Sequence, residues 1–478
     1  MPGARRFTAA VWCVIAAAVT SAAIVVLSAV TGVPGGERLL GGAYLDATRK
    51  SNLPTWWSTA LLTTSAAGLA AACLVSLASR ARDAVMWAVG AVVLLVMSLV
   101  EHTAVHARLA LLLGSTGPLD GLLLVMGGAA LGVMIPVAVG LGGSAGALVG
   151  AAVVLLVLSA VGGTFLVQRV SDRTPVGSVE HVAVTHAAEL GENVGALLVL
   201  AAAMSAIAVD RVGGGLRVSG RRPPSGAGHL PPARRAAAVL VGVTAALSAA
   251  SLVAVLSAPS LGPGFHEMRV LLDVLVEDNL PTWWSSTLLL LAALAHLVVA
   301  AVAHAAAAPA AFSWVVTALL LAALSLDDHT ALHERTEVLA RRVVDTGSYP
   351  FAWLVPGLLV GAAVAAAVVR LAVRTRGRPR VLLVLGIGTL LTCALGLEFA
   401  QGLLMQAGAE GLAFALLYHL EELGENIAAL VLIAAAASAL TVGLSGAAVH
   451  LGYIASAGFQ ERHRGRHRAV PARGHPRR

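Results

Sequence analysis

Charged residues are scarce in this sequence. Asp, Glu, Lys and Arg make up 12% of the 478 residues, and apolar residues make up 58%. Soluble domains carry about twice that charged fraction, so the composition excludes an ordinary soluble protein. Cysteine is also scarce. Cys13, Cys73 and Cys393 all lie in apolar stretches, which excludes a disulfide framework and a cysteine-based metal site.

Long apolar runs dominate what is present. A run of about 20 apolar residues is long enough to cross a bilayer as a helix. We therefore predict an all-α polytopic membrane protein with about 12 transmembrane helices. The runs lie near 8–31, 56–78, 84–107, 119–141, 145–167, 181–209, 236–258, 283–305, 311–333, 350–373, 381–404 and 412–443.

The sequence contains a tandem duplication. Residues 52–58 read Asn-Leu-Pro-Thr-Trp-Trp-Ser and recur 227 positions later, at 279–285. The segment 98–108 recurs at 325–335 with the same offset, and 186–193 recurs at 419–426 with an offset of 233. Repeats of this kind indicate duplicated structural units. We predict two parallel six-helix repeats, 1–209 and 236–443, joined by a basic Gly/Pro linker at 210–235 and followed by a basic disordered tail at 444–478.

The distribution of arginine predicts the orientation. Most arginines fall before the first run, in the 210–235 linker, in the loop around 374–380 and in the tail. Basic residues accumulate on the cytoplasmic side of a membrane, so both termini are expected there. The net charge of +7 therefore reflects topology, and we expect membrane lipids as partners and no nucleic acid. The sequence specifies neither a substrate nor an oligomeric state.

The repeated motifs all fall at the outer ends of the predicted helices. Asn52 and Asn279 are suited to cap a helix that has proline in its first turn. The tryptophans that follow are typical of a belt at the membrane surface. In the second motif, His102 and His106, and likewise His329 and His333, are spaced to lie on one helical face and bind one metal ion. The third motif aligns His186 with Glu189, and His419 with Glu422, on another helix.

These polar helix faces predict a metal site of mixed imidazole and carboxylate ligands, suited to Zn, Fe, Mn or Cu, either one in each half or one shared between the halves. Glu189 and Glu422 are the candidate general bases for a metal-bound water. The predicted ligands are His102, His106, His186 and Glu189, and His329, His333, His419 and Glu422. Further polar residues expected in the same clusters are Ser98, Glu101, Glu192, Asn193, Ser325, Asp327, Asp328, Glu425 and Asn426.

Three functions remain open at this point. The first is a metal-binding membrane protein, including a membrane metalloenzyme acting on a lipid-borne or extracytoplasmic substrate. The second is a proton-coupled secondary transporter, in which His and Glu carry protons. The third is a non-catalytic scaffold whose polar clusters pair helices.

A resemblance accompanies these motifs. The sequences at 279–285 and 325–328, with His333-Glu334 and the Glu421-Glu422 helix start, resemble a group of multi-pass membrane proteins of bacteria. In that group an acidic residue is usual where His102 and His329 stand. The resemblance implies a fold in the bacterial plasma membrane and supplies no activity.

Overall fold

The computed structural model describes residues 8–32, 45, 51–105, 108, 118–175, 178–222, 224–226, 228–257, 266–345, 347, 349–409 and 411–454. Helices dominate this part of the chain. The helices before the first strand are α1 (Thr8–Gly32), α2 (Leu53–Ala78), α3 (Ala84–Thr103), α4 (Pro118–Leu141), α5 (Gly143–Val157), α6 (Gly163–Ser171) and α7 (Val179–Ala206). A π-helical turn, Leu158–Gly162, connects α5 to α6.

The second part of the chain has a similar order of elements. Its helices are α8 (Ala233–Ser257), α9 (His266–Leu272), α10 (Leu280–Ala305), α11 (Ala311–Thr330), α12 (Leu332–Arg335), α13 (Glu337–Val343), α14 (Leu354–Arg374), α15 (Arg378–Leu391), α16 (Glu398–Gln406) and α17 (Leu412–Ser438). A second π-helical turn, Thr392–Leu397, connects α15 to α16.

Ten helices in the described residues are long and apolar enough to cross a membrane. The other two predicted runs also contain helices. Within α4 the segment Gly127–Leu141 is a shorter apolar helix, and α17 carries Glu421, Glu422 and Glu425. A multi-pass membrane protein is therefore confirmed. Two helices end a few residues before the approximate ends predicted for their spans, α3 at Thr103 and α11 at Thr330.

Each half of the chain has its own apolar core. One core lies among α2, α3, α4, α5 and α7, and includes Leu69, Leu94 and Leu156. The other lies among α10, α11, α14, α15 and α17, and includes Leu288 and Leu432. The halves also touch, since α10 contacts α2 and α3, and α11 contacts α2. These helices bring the repeated motifs together.

A small β-sheet closes one end of the bundle. It consists of β1 (Ile207–Val212), β2 (Gly215–Gly220), β3 (Leu440–Ser445) and β4 (Ala448–Tyr453), in the antiparallel order β1-β2-β4-β3. The central pair joins the halves, with Val218 opposite Val449. The prediction of a disordered tail is therefore wrong for residues 444–453. Gly213 and Gly214 occupy positive φ in the first hairpin turn, where residues with a Cβ are disfavoured.

Candidate functional site

The Asn-Leu-Pro-Thr-Trp-Trp-Ser motifs begin α2 and α10 as predicted. The Asn52 side chain accepts a hydrogen bond of 2.9 Å from the Thr55 amide, and Asn279 accepts one of 3.1 Å from the Thr282 amide. Each helix has proline in its first turn. These caps therefore determine where α2 and α10 begin. Both helices begin at the end of the bundle opposite the sheet.

The first tryptophan of each motif reaches across to the other half. Trp56 Nε1 donates to Ser325 Oγ at 3.2 Å, and Trp283 Nε1 donates to Ser98 Oγ at 3.1 Å. The two bonds join the same pair of repeat positions in reciprocal order. These tryptophans therefore pair the halves, which a membrane-surface belt does not require.

The second tryptophan of each motif binds the first helix of its own half. Trp57 Nε1 donates to Ser21 Oγ at 2.8 Å, and Trp284 Nε1 donates to Thr244 Oγ1 at 2.9 Å. The sequence repeats did not single out Ser21 or Thr244. The only feature of the sequence that could have pointed to them is that each is a hydroxyl residue within an apolar run.

His102 and His329 meet where the halves touch. Their Nδ1 atoms lie 2.9 Å apart, and their rings pack edge to face with centroids 4.4 Å apart. Both side chains are fully buried. One ring nitrogen must donate and the other accept, so the pair shares one proton across this contact.

A ring of reciprocal polar contacts surrounds the histidine pair. Ser51 Oγ donates to Asp278 Oδ1 at 2.7 Å. Arg108 donates to the Asp278 carbonyl at 3.1 Å, and Arg335 donates to the Ser51 carbonyl at 3.0 Å. Ser51 and Asp278 occupy equivalent repeat positions, and so do the two arginines. The motif ends are thus tied to each other across the halves.

The predicted pairing of His329 with His333 on one helical face is wrong. Ala331, at φ 45°, ends α11 in the left-handed region, so the two histidines belong to different helices. His333 Nδ1 lies 3.0 Å from Asp327 Oδ2, and the backbone amide of His333 donates to Asp327 Oδ1 at 2.9 Å. Ala104 ends α3 in the same way, and His106 lies outside the described residues.

His186 and His419 are held by the first helix of their own half. His186 Nδ1 donates to the Val182 carbonyl, and its Nε2 lies 2.7 Å from Ser28 Oγ. His419 Nδ1 donates to the Ala415 carbonyl, and its Nε2 lies 3.1 Å from Ser251 Oγ. Both nitrogens of each ring are occupied by protein partners, so neither histidine is disposed to bind a metal ion here.

The carboxyl groups of the two halves have different partners. In the first half, Ser58 Oγ lies 3.3 Å from Glu189 Oε2 and 3.1 Å from Asn193 Oδ1. In the second half the equivalent Ser285 Oγ donates to Asp328 Oδ2 at 2.7 Å. Asn426, the counterpart of Asn193, donates to the Glu422 carbonyl.

Six half-buried carboxyl groups gather near His333 at the end opposite the sheet. We call this set the acidic cluster: Glu277, Asp328, Glu398, Glu421, Glu422 and Glu425. Glu422 has Glu425, Asp328, Glu421 and Glu277 as electrostatic neighbours. Trp353 Nε1 donates to Glu398 at 2.8 Å, and the Gln401 side-chain amide donates to Glu421. Sequence reasoning missed Glu277, and it left Glu398 and Glu421 out of the candidate site because neither has an acidic counterpart in the first half.

Two groups outside the membrane-spanning helices, Glu277 of the acidic cluster and His333 beside it, have displaced pKa values. Burial raises the pKa of Glu277 to about 8, and the charges of Asp328 and Glu334 add to the effect. For His333, burial alone lowers the pKa, but the hydrogen bond and charge of Asp327 outweigh it and raise the pKa to about 9. Near neutral pH, Glu277 is therefore largely protonated and His333 is charged.

The predicted metal ligands do not come together in the described part of the chain. There, no three His, Cys, Asp or Glu side chains are grouped so that they could hold a metal ion. The structure instead joins His102 to His329, places His186 and His419 against serines, and joins His333 to Asp327.

The comparisons with known proteins identify a family. A family described as "Domain of unknown function (DUF8692)" matches residues 9–207 and 237–440. The chain belongs to this family. No curated protein and no solved structure matches the chain. The two matched segments start within α1 and α8 and end at the first residues of β1 and β3.

Proposed function

We propose that this member of the DUF8692 family is an integral membrane protein that binds protons through the acidic cluster of its second half. The observation that carries the proposal is the gathering of six half-buried carboxyl groups at one end of an apolar helix bundle. In the described part of the chain, none of the six forms an ion pair with arginine. Protons are then the simplest cations to neutralise them.

The physical argument concerns like charges in an apolar environment. Burial disfavours an ionised carboxylate, and a second carboxylate nearby disfavours it further. Ionisable groups inside membrane segments are costly, and they mark proton relays or ion pathways when they face a bundle interior. His333 supplies one positive charge, and its hydrogen-bonded partner is Asp327. Most of the acidic cluster therefore has to hold protons at neutral pH.

The first half serves as the structural counterpart in this proposal. It lacks half of the acidic cluster, because Lys50, Phe165 and Ala188 occupy the repeat positions of Glu277, Glu398 and Glu421. It keeps Glu101, Glu189 and Glu192 at the positions of Asp328, Glu422 and Glu425. The reciprocal tryptophan–serine bonds and the histidine pair support two six-helix halves related by a pseudo-two-fold axis. We propose that the halves are parallel, that the sheet end is cytoplasmic, and that the acidic cluster faces the outside of a bacterial plasma membrane.

Of the three functions open from the sequence, the proton-coupled transporter is the one that uses such a cluster. A metalloenzyme with Glu189 or Glu422 as general base needs a metal beside those residues, and the contacts of His186 and His419 do not favour one. A scaffold accounts for the histidine pair and the tryptophan bonds, but it does not require six neighbouring carboxyl groups.

Infrared spectroscopy tests the proposal through the carbonyl stretch of protonated carboxyl groups. We expect the purified protein to show this band at pH 7. The double variant Glu422→Gln/Glu425→Gln should lose a large part of it. The matched control Glu180→Gln/Asp345→Asn removes two exposed carboxylates and should retain it. A protein without the band at pH 7, or with zinc, iron, manganese or copper at one ion per chain by elemental analysis, contradicts proton binding and favours a metal site.

A further inference from the structure

A polar cavity lies at the opposite end of the first half, away from the acidic cluster. Its volume is about 230 Å³, and its walls come from the end of α2, the start of α3, the α4–α5 turn, the end of α7 and the residues after β2. Polar side chains on these walls are Ser76, Ser79, Asp83, Ser144, Ser205, Arg221 and Arg222. A cavity with this lining suits a small polar ligand better than an acyl chain.

Asp83 supplies the first sign of a ligand. Its side chain is 7% exposed, and one carboxylate oxygen, Oδ2, lies 3.2 Å from Arg222 Nη1. The other oxygen, Oδ1, is buried and has no hydrogen-bond partner in the described part of the chain. A buried carboxylate oxygen without a donor is costly. The cavity therefore offers an acceptor for a donor group such as an ammonium or a hydroxyl.

The start of α5, which lines the same cavity, suits an anion. Gly142 and Gly143, both at φ 56°, form the turn into α5, and no side chain caps this helix. The first amides of an uncapped helix attract anions. Arg221 adds a guanidinium on the same cavity, and Arg222 lies beside Gly142. Arginine forks suit phosphate oxygens.

The linker holds these arginines over the cavity. The Ser225 amide donates to the Ser79 carbonyl at 3.1 Å, and the Gly228 amide donates to the Ala78 carbonyl at 2.9 Å. Ser225 and Gly228 are thereby fastened to the end of α2. Arg221 and Arg222 come directly after β2, which ends at Gly220. The strand on one side and these bonds on the other hold the two arginines at the cavity.

The polar lining that α2 and the start of α3 contribute is specific to the first half. At the offset of 227, Ala303, Ala306 and Ala310 replace Ser76, Ser79 and Asp83, whereas Trp87 has its counterpart in Trp314. The helix packing at this end therefore does not require the polar groups, because the second half packs the same hairpin with alanine. A role outside packing accounts for them.

We infer that this cavity binds a phosphate group that carries a hydrogen-bond donor, the chemistry of phosphoethanolamine. The phosphate would lie against Arg221 and the first amides of α5, and the ammonium would lie against Asp83 Oδ1. The cavity lies where membrane helices end, so the same chemistry can come from a phosphatidylethanolamine headgroup or from a free phosphomonoester. The inference does not depend on proton binding by the acidic cluster.

Calorimetric titration of the purified full-length chain in a sugar-based detergent tests the inference. The probes are O-phosphoethanolamine, inorganic phosphate and ethanolamine. We expect O-phosphoethanolamine to bind at least about tenfold more tightly than either fragment, because a charged hydrogen bond is gained at each end. Arg221→Glu and Asp83→Ala should each weaken it by about tenfold or more. Arg217→Glu, an exposed arginine of β2 outside the cavity, should leave it unchanged.

The choice of variants separates a loss of binding from a loss of folding. Arg221 is exposed, so its replacement is not expected to unfold the protein even if Asp83→Ala does. Unchanged affinity in Arg221→Glu overturns the inference, and so does inorganic phosphate binding as tightly as O-phosphoethanolamine. In a parallel arm, native mass spectrometry from phosphatidylethanolamine nanodiscs compares retained lipid. Loss of this lipid in Arg221→Glu but not in Arg217→Glu assigns the headgroup, and equal retention with weakened phosphomonoester binding assigns the free ligand.

Discussion

Ala104 and Ala331 show how a single residue decides what a motif can do. Both adopt φ 45°, a conformation that is costly for a residue with a Cβ. Each ends its helix through a backbone bond, from Ala104 to Val100 and from Ala331 to Asp327. His329 lies before the turn, inside α11, and contacts His102, whereas the turn brings His333 to Asp327. The spacing of four residues therefore does not give two imidazoles on one face.

Ala331→Gly should stabilise the protein. Glycine occupies the left-handed region without steric cost, so we expect a gain of about 1 kcal/mol in the free energy of unfolding. The control is Ala323→Gly at an exposed position inside α11, where glycine should cost about 1 kcal/mol. Thermal unfolding in detergent measures both. A loss of stability in Ala331→Gly equal to that in the control would contradict the left-handed assignment.

The His333–Asp327 pair should make stability depend on pH. The pKa of His333 rises from its ordinary 6.5 to about 9 in the folded protein. A raised pKa stabilises the folded state fully below the unfolded value and loses that contribution as pH rises through the folded value. We therefore expect the pair's contribution to disappear between about pH 6.5 and about pH 9.

Asp327→Asn tests this expectation. The variant lacks the charge that raises the pKa of His333, so its melting temperature should fall less than that of the wild type between pH 6.5 and pH 9. Glu337→Gln, which removes the partner of the partly exposed Arg341, should follow the wild-type profile. Parallel pH profiles for the wild type and Asp327→Asn would refute the assignment.

At the scale of elements, helix positions could be predicted and helix partners could not. Apolar length locates α2 and α10, and Asn52 and Asn279 cap them as expected because capping is a local interaction. The partner of Trp56 is a different matter. Ser98 and Ser325 occupy equivalent positions in the sequence repeat. The sequence alone therefore does not predict whether the Trp56 indole binds the serine of its own half or the serine of the other half. The same ambiguity concealed the pairing of His102 with His329.

The cross-half bonds should be energetically coupled. Trp56→Phe and Ser325→Ala each remove one partner of the 3.2 Å bond, and a double-mutant cycle should give a coupling of about 1 kcal/mol. Trp56→Phe combined with Ser98→Ala is the matched control, because Ser98 binds Trp283 instead. Coupling in the control as large as in the test pair would mean that Trp56 binds within its own half.

At the scale of the molecule, the two halves are joined at both ends by different means. At one end β2 pairs with β4. At the other end His102 contacts His329, and the reciprocal tryptophan–serine and arginine–carbonyl hydrogen bonds also join the halves. The acidic cluster lies in the second half, at the end where the histidines meet. The cavity lined by Asp83 and Arg221 lies in the first half, at the end that carries the sheet. Asp328, Glu422 and Glu425 match Glu101, Glu189 and Glu192 in sequence. What distinguishes the second half is therefore the additional carboxyl groups of Glu277, Glu398 and Glu421.

The sheet end should face the cytoplasm, because the arginines concentrate there. Arg376 lies between α14 and α15 at that end, where Arg374 donates to the Pro309 carbonyl beside α11. Asp345 follows α13 at the opposite end. In a chain with Cys13, Cys73 and Cys393 replaced by alanine, Asp345→Cys should react with a membrane-impermeant maleimide in intact cells. Arg376→Cys should react only after permeabilisation. The reverse pattern would invert the topology and place the acidic cluster inside the cell, and labelling of both sites in intact cells would mean that no membrane separates the two ends.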